Sequence, residues 1–339
     1  MDEEGDWGQV PRGQVSIKGG ITSRRMSGMK IAVVGPGALG TLLAGFLRAK
    51  TKEDVWLVDK SPERARRIRE EGIRIEGMSS ISVSINTSAN PKEIAPCDLV
   101  IICVKSYSTE DVCKDIKDLV NDNTSILTLQ NGIGNVQVLN DHFGADRVIA
   151  GVTNHGATLL GPGHVRHAGR GDTIIGMSNG KILGPMRDAA NLLTKCGFET
   201  KISKDIDSVI WSKLVINVGI NALTGITRLK NGMLIQYNGT REILRSAVQE
   251  AVKIVKRKRI KLVYDDPIQK VESVCKATAA NISSMLQDVL NSKRTEIDYI
   301  NGAIIRQGKA LGISTPVNEV LTNLVKTIES SYEEAEEMN

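Results

Sequence analysis

The chain has 339 residues, of which 41% are hydrophobic and 24% charged, and a formal charge of +5. That length and composition suit a soluble globular protein with two domains and sizeable cores. No apolar run reaches the length of a membrane span, so no membrane partner is expected. The five cysteines, Cys97, Cys103, Cys113, Cys196 and Cys275, are odd in number and scattered, with no Cys-x-x-Cys. This pattern argues for reduced thiols in a cytoplasmic protein and against a zinc ribbon or disulfide framework. The basic run from Lys253 to Lys261 reads as a solvated helix face. With aromatics at only 3%, a nucleic-acid partner is not expected.

Residues 1–28 carry several glycines and mixed charge without periodicity, and lack the apolar core of a signal peptide. They read as a disordered extension or an upstream start choice. The predicted α/β domain spans 29–204. Its first elements are a buried strand at Lys30–Val34, a helix from Ala38 to Lys50 and a strand at Val55–Val58. A helix follows from Pro62 with Ser61 as its cap. Further buried strands lie at Asp98–Val104 and Ser125–Leu129, with a helix near 109–120 between them. Such alternation implies a parallel sheet covered on both faces, the Rossmann-type arrangement. From 205 to 335 the patterns turn helical: 206–222, 240–260, 267–290, 294–311 and 317–334. The fold class is therefore α/β, a dinucleotide-binding domain followed by an all-helical substrate and catalytic domain.

Gly35-Pro36-Gly37-Ala38-Leu39-Gly40 is a complete G-x-G-x-x-G between a predicted strand and a predicted helix. Gly35 allows the tight turn, Gly37 a close backbone approach to a pyrophosphate, and Gly40 helix–strand packing. The free N–H groups of the helix start favour phosphate. Asp59 ends the second strand, where a carboxylate would bind ribose hydroxyls and favour NADH. Lys60, Arg64 and Arg66 follow and would suit a 2′-phosphate, which leaves NADPH open. Lys105 and Asn131 end later strands and reach toward the cofactor, or are a surface lysine and a turn residue. His164-x-x-His167 has no third ligand nearby, so no metal is expected. His155 reads as a packing or turn histidine.

Lys213, Asn217 and Asn221 are spaced by four within an apolar stretch, so they share one helical face. Buried polar groups of this kind are costly without partners. A lysine and two carboxamides in a row suit a cleft holding a polar ligand. Desolvation there would lower the lysine pKa. Asn281 and Ser284 are expected at i,i+3 on one helical face, and Glu296 near the next helix start, with Thr295 or Ser292 as cap.

Together, Gly35–Gly40, Gln130-Asn-Gly-Ile-Gly134, Trp211 to Asn221, Lys230-Asn-Gly232, Asn281 to Asp288 and Thr295 to Gly302 resemble the ketopantoate reductase family (2-dehydropantoate 2-reductase). The resemblance runs from Met29 to about residue 330. It implies reduction of 2-dehydropantoate to (R)-pantoate on the route to pantothenate and coenzyme A, with NADPH or NADH as reductant. It implies Lys213 as general acid assisted by Glu296, with Asn217, Asn221, Asn231, Asn281 and Ser284 holding substrate. Asn131, Ala157 and Glu296 would lie along the cofactor. Members using NADPH often carry an arginine after the second strand, where this chain has Asp59-Lys60. The partner is then a small 2-keto acid, and a homodimer stays open. Two alternatives remain: a reductase of another branched 2-keto acid, and a non-enzymatic dinucleotide-binding regulator.

Overall fold

The computed structural model describes residues 28–337. The expected extension at 1–28 therefore lies outside the described residues, apart from Gly28. Two compact units emerge. Of the described residues, one contains 28–130 and Asn135–Ile206. The other is built from Asn131–Gly134 and residues 207–337.

In the first unit, eight strands among the described residues form one sheet. From one edge their order is Asn86–Ser88, Asp54–Val58, Lys30–Val34, Leu99–Ile102, Ser125–Thr128, Val148–Thr153, Thr173–Gly176 and Thr200–Ile202. All neighbours run parallel except Val148–Thr153 against Thr173–Gly176. The first six, read across the sheet, have the dinucleotide-binding order, which reverses between Lys30–Val34 and Leu99–Ile102. Strand periodicity of two explains the two covered faces. Ile31 and Val33 join one apolar core, and Ala32 and Val34 the other. Leu42, Leu43 and Leu47 of helix Ala38–Lys50 are fully buried, each contributing about 2 kcal/mol by leaving water.

A second, four-stranded sheet was not expected from the sequence. It pairs Ile73–Gly77 with Ile81–Val83 and with His164–Gly169, which in turn pairs with Gly156–Gly161.

The second unit is helical. Its central element, Ile206–Thr227, is five residues longer than expected. By length and composition this helix would suffice to cross a membrane, contrary to the expectation from unbroken apolar runs. Lys213, Asn217 and Asn221 interrupt the run, so counting runs misses it. Its apolar residues, Leu214, Val215, Val218 and Ala222 among them, are buried in the core of the helical unit. At Gly219 a side chain would meet Val248 and Val271, so neighbouring helices come close here. The expected helix 267–290 is two helices, Pro267–Ala277 and Ser284–Leu290. The expected helix 294–311 begins as a 3₁₀ turn at Ile297–Tyr299 and continues as Asn301–Leu311.

A buried carboxylate organises the last helix. Glu250 accepts from the backbone N–H groups of Val317 (2.9 Å) and Asn318 (3.0 Å), at the start of Pro316–Ser330. It also accepts from Asn318 Nδ2 (2.7 Å), and Asn318 Oδ1 accepts from Asn301 Nδ2 (3.0 Å). Glu250→Ala removes the acceptor of three N–H donors, two of them buried, so a loss of about 3 kcal/mol is expected. A urea midpoint close to wild type would show that this cap does not hold the helix.

Candidate functional site

The glycine-rich turn stands where the strand order reverses. Gly35 has φ +101°, a conformation that L side chains rarely adopt, and a Cβ there would lie 2.8 Å from the Val104 nitrogen. The carboxyl ends of strands Lys30–Val34 and Leu99–Ile102 thus meet directly beside the turn. At Gly40 a Cβ would lie 2.0 Å from the Gly35 carbonyl oxygen. Gly37 differs: nothing lies within 4 Å of its would-be Cβ. It caps helix Ala38–Lys50 with no side-chain hydrogen bond. An open glycine at an uncapped helix N-terminus fits a phosphate-bearing ligand. Pro36 is buried, while Ala38 and Leu39 are half-buried.

Asp59 is only 2% exposed. Arg64 grips both of its oxygens, Nε on Oδ2 and Nη2 on Oδ1 at 2.6 Å. The Ser61 N–H also donates to Oδ1 (3.0 Å). The expected cap holds, since Ser61 Oγ accepts from Arg64 N. Lys60 is exposed. Lys105 is half-buried and precedes the 3₁₀ turn Ser106–Ser108. Ala157 lies in strand Gly156–Gly161 of the small sheet, packed against the larger core.

Asn131 does not simply extend its strand. The segment Asn131–Gly134 groups with the helical unit. There the Ile133 N–H donates to the Tyr299 carbonyl (3.2 Å), and Gly132, at φ +78°, leaves no room for a Cβ against that oxygen.

In the helical unit, Lys213 and Asn217 are half-buried and Asn221 is buried, on one face of Ile206–Thr227. Burial pushes the Lys213 ammonium down to about 8, and the Glu296 carboxylate pushes it partly back up. Glu296 is 6% exposed. Thr295 Oγ1 accepts from the Ile297 N–H (3.1 Å), so Thr295 rather than Ser292 fixes this turn.

The expectation for Asn281 is corrected: it lies in the loop before Ser284–Leu290, not on a shared helical face with Ser284. Both residues are exposed. The helix cap is Ser283, whose Oγ accepts from Leu286 N (3.0 Å) and meets Thr224 Oγ1 at 2.6 Å. Thr224 lies one turn beyond Asn221, so this bond fastens the 281–284 loop near the end of the polar stripe. Asn231 joins the same group. Its N–H donates to the Asn281 carbonyl (3.1 Å), and its Nδ2 to Thr278 Oγ1 (2.9 Å). Its buried Oδ1 has no partner among the described residues. The sequence reading missed Thr224 and Ser283. No glycine or proline marks the helix break between Ala277 and Ser284, so the serine pair looked helical.

The histidines do other work. His164 Nε2 meets Glu76 (3.0 Å). His167 bonds His155 (3.1 Å) and Ser79 (3.0 Å), and His155 stacks on Phe198. Burial lowers the His155 pKa to about 4, so it is a neutral packing ring.

The family model described as ketopantoate reductase PanE/ApbA matches residues 31–180, and that for the ketopantoate reductase PanE/ApbA C terminal matches 205–329. The 2-dehydropantoate 2-reductase of Halobacterium salinarum is 35% identical over 301 residues, covering 88% of this chain and 98% of the relative. Among solved structures, a PanE/ApbA family ketopantoate reductase from Ralstonia eutropha JMP134 superposes with a TM-score of 0.82 at 32% identity, covering 89% of this chain and 99% of that one. A D-mandelate dehydrogenase solved with NADH and anilino(oxo)acetate gives 0.84 at 29% identity, with the same two coverages of 89% and 99%.

Proposed function

The chain belongs to the ketopantoate reductase family, and on that premise we propose that it reduces 2-dehydropantoate to (R)-pantoate with NAD(P)H. The observation that carries this reading is Lys213, a desolvated ammonium with a pKa of about 8 beside Glu296. It stands on a helix face with two carboxamides. The nicotinamide supplies the hydride when bound, and the protein supplies placement, charge and a proton.

Reduction of a ketone builds negative charge on the carbonyl oxygen. The Lys213 Nζ stabilises that charge and donates the proton. Glu296 keeps the ammonium from losing its proton near neutral pH, where burial alone would take it further. The Asn217 and Asn221 carboxamides bond the substrate's oxygens, and the Ser284 hydroxyl donates to its carboxylate. The unpartnered Asn231 Oδ1 accepts from a substrate hydroxyl, with Asn281 beside it. Gly35 to Gly40 cradle the pyrophosphate, and Lys105, Asn131 and Ala157 line the rest of the cofactor. Five free thiols suit a cytoplasmic reaction.

NADPH is the preferred reductant in this reading. Arg64 occupies the Asp59 carboxylate, which is then not offered to the ribose, while exposed Lys60 and the outer side of Arg64 attract a 2′-phosphate. Arg64→Ala uncovers the carboxylate. The ratio of kcat/KM for NADPH over NADH is expected to fall by roughly tenfold, the size of one phosphate-cation contact. An unchanged ratio would rule the pair out as the selector.

Substrate identity is tested by comparing ketopantoate with 2-ketoisovalerate, which lacks the hydroxyl. Loss of a buried hydrogen-bond partner should favour ketopantoate by 10²-fold or more, on the order of 3 kcal/mol. Comparable kcat/KM for the two would point instead to a general branched 2-keto acid reductase.

A further inference from the structure

Two of the residues assigned to the cofactor, Lys105 and Asn131, stand next to a buried polar knot that the reaction does not use. At its centre is Thr109, 2% exposed and the first residue of helix Thr109–Asp115. Its Oγ1 accepts from Gln130 Nε2 (2.9 Å) and shares its proton between Asn135 Oδ1 (2.8 Å) and the Ser106 carbonyl (2.9 Å). Asn135 Nδ2 donates to Ser106 Oγ (3.0 Å). Gln130 is saturated: Nε2 also donates to the Val104 carbonyl (2.9 Å), and Oε1 accepts from Thr128 Oγ1 (3.0 Å).

Gln130 and Asn135 are the two residues that flank Asn131–Gly134, the segment that leaves this unit and groups with the helical one. One hydroxyl therefore ties together both ends of that excursion. The same hydroxyl holds Ser106, the neighbour of Lys105. A four-residue loop with two positive-φ glycines, Gly132 and Gly134, has little stiffness of its own. Its base has to be fixed from outside.

We propose that Thr109 is a positioning residue: its hydroxyl, through Gln130 and Asn135, clasps the base of the 131–134 loop and sets Asn131 and Lys105 for the reduced cofactor. This rests on the NAD(P)H reading given above. The isosteric Thr109→Val removes the hydroxyl and leaves buried donors and acceptors without it, whereas Thr109→Ser keeps it.

Three readouts test the clasp: NADPH affinity by fluorescence titration, steady-state kinetics, and hydrogen exchange of the Gly132–Gly134 amides. Thr109→Val is expected to raise the NADPH Kd and KM roughly tenfold, the order of one or two lost buried hydrogen bonds. It should lower kcat less, and speed exchange in the loop. Thr109→Ser should stay near wild type in all three. A lower Tm with wild-type NADPH affinity and wild-type loop exchange would reduce the knot to a structural brace and overturn the proposal. So would Thr109→Ser behaving like Thr109→Val. Failure of the underlying reading looks different, because the wild-type protein itself would then bind neither NADPH nor NADH.

Discussion

Lys213→Ala is expected to lower kcat by roughly 10²–10⁴-fold, the usual cost of losing a positioned acid, while near-UV circular dichroism keeps its native form. The physical ground is the environment of the ammonium. Burial destabilises its charged form, and the Glu296 carboxylate opposes that shift. A lysine held in this way is close to neutral-pH proton exchange, unlike one in water near 10.5. The sign of the pH dependence follows. The acid must be protonated to act, so kcat/KM should fall as pH rises through about 8, the pKa of Lys213 before substrate binds. The alanine variant should lack that limb. For stability the sign is opposite. A lysine pKa lowered on folding means the native state binds this proton less well than the unfolded one, so its contribution improves as pH rises from about 8 toward 10.5. An unchanged kcat in Lys213→Ala, or a profile flat through pH 8, would remove Lys213 from the acid's role.

Gly40→Ala is expected to abolish reduced-cofactor binding and to cost about 3 kcal/mol of stability, at the upper end of overpacking penalties. The added Cβ would sit 2.0 Å from the Gly35 carbonyl oxygen and 3.1 Å from the Cys103 Cβ. Both are parts of the turn and sheet that cannot yield without opening the strand–helix junction. Gly37→Ala separates binding from folding. Its φ of −73° suits alanine, and its Cβ would enter open space. The melting temperature should therefore hold while NADPH affinity falls by tenfold or more, since the methyl takes the place where the pyrophosphate meets the backbone. Equal affinity in Gly37→Ala would mean that the phosphate does not approach here.

Much of the dinucleotide unit was legible in the sequence because its central strands are unbroken apolar runs. Lys30–Val34, Leu99–Ile102 and Ser125–Thr128 are buried almost throughout. The four-stranded sheet was hidden for the opposite reason. Its strands carry Arg74, Glu76 and Arg166, and pair residues as distant as Ile75 and Val165. No local pattern announces such pairing. In the helical unit the stripe of Lys213, Asn217 and Asn221 follows from spacing alone. The grip of Arg64 on Asp59 does not, because i,i+5 across a strand end matches no helical rule. It makes Asp59 one half of an ion pair. Likewise, nothing in Gln130-Asn-Gly-Ile-Gly134 says that the middle of the motif packs on Tyr299 while its ends stay behind.

A desolvated lysine on this helix is proposed to protonate a 2-keto acid as it is reduced. This step is tested most directly by mixing the wild-type protein with ketopantoate and NADPH, then NADH, and following the absorbance of the reduced nicotinamide. Catalytic loss of absorbance is expected, with pantoate formed in equal amount and faster turnover with NADPH. No turnover with either cofactor, alongside measurable binding of one of them, would contradict it and leave a dinucleotide-binding protein without this chemistry.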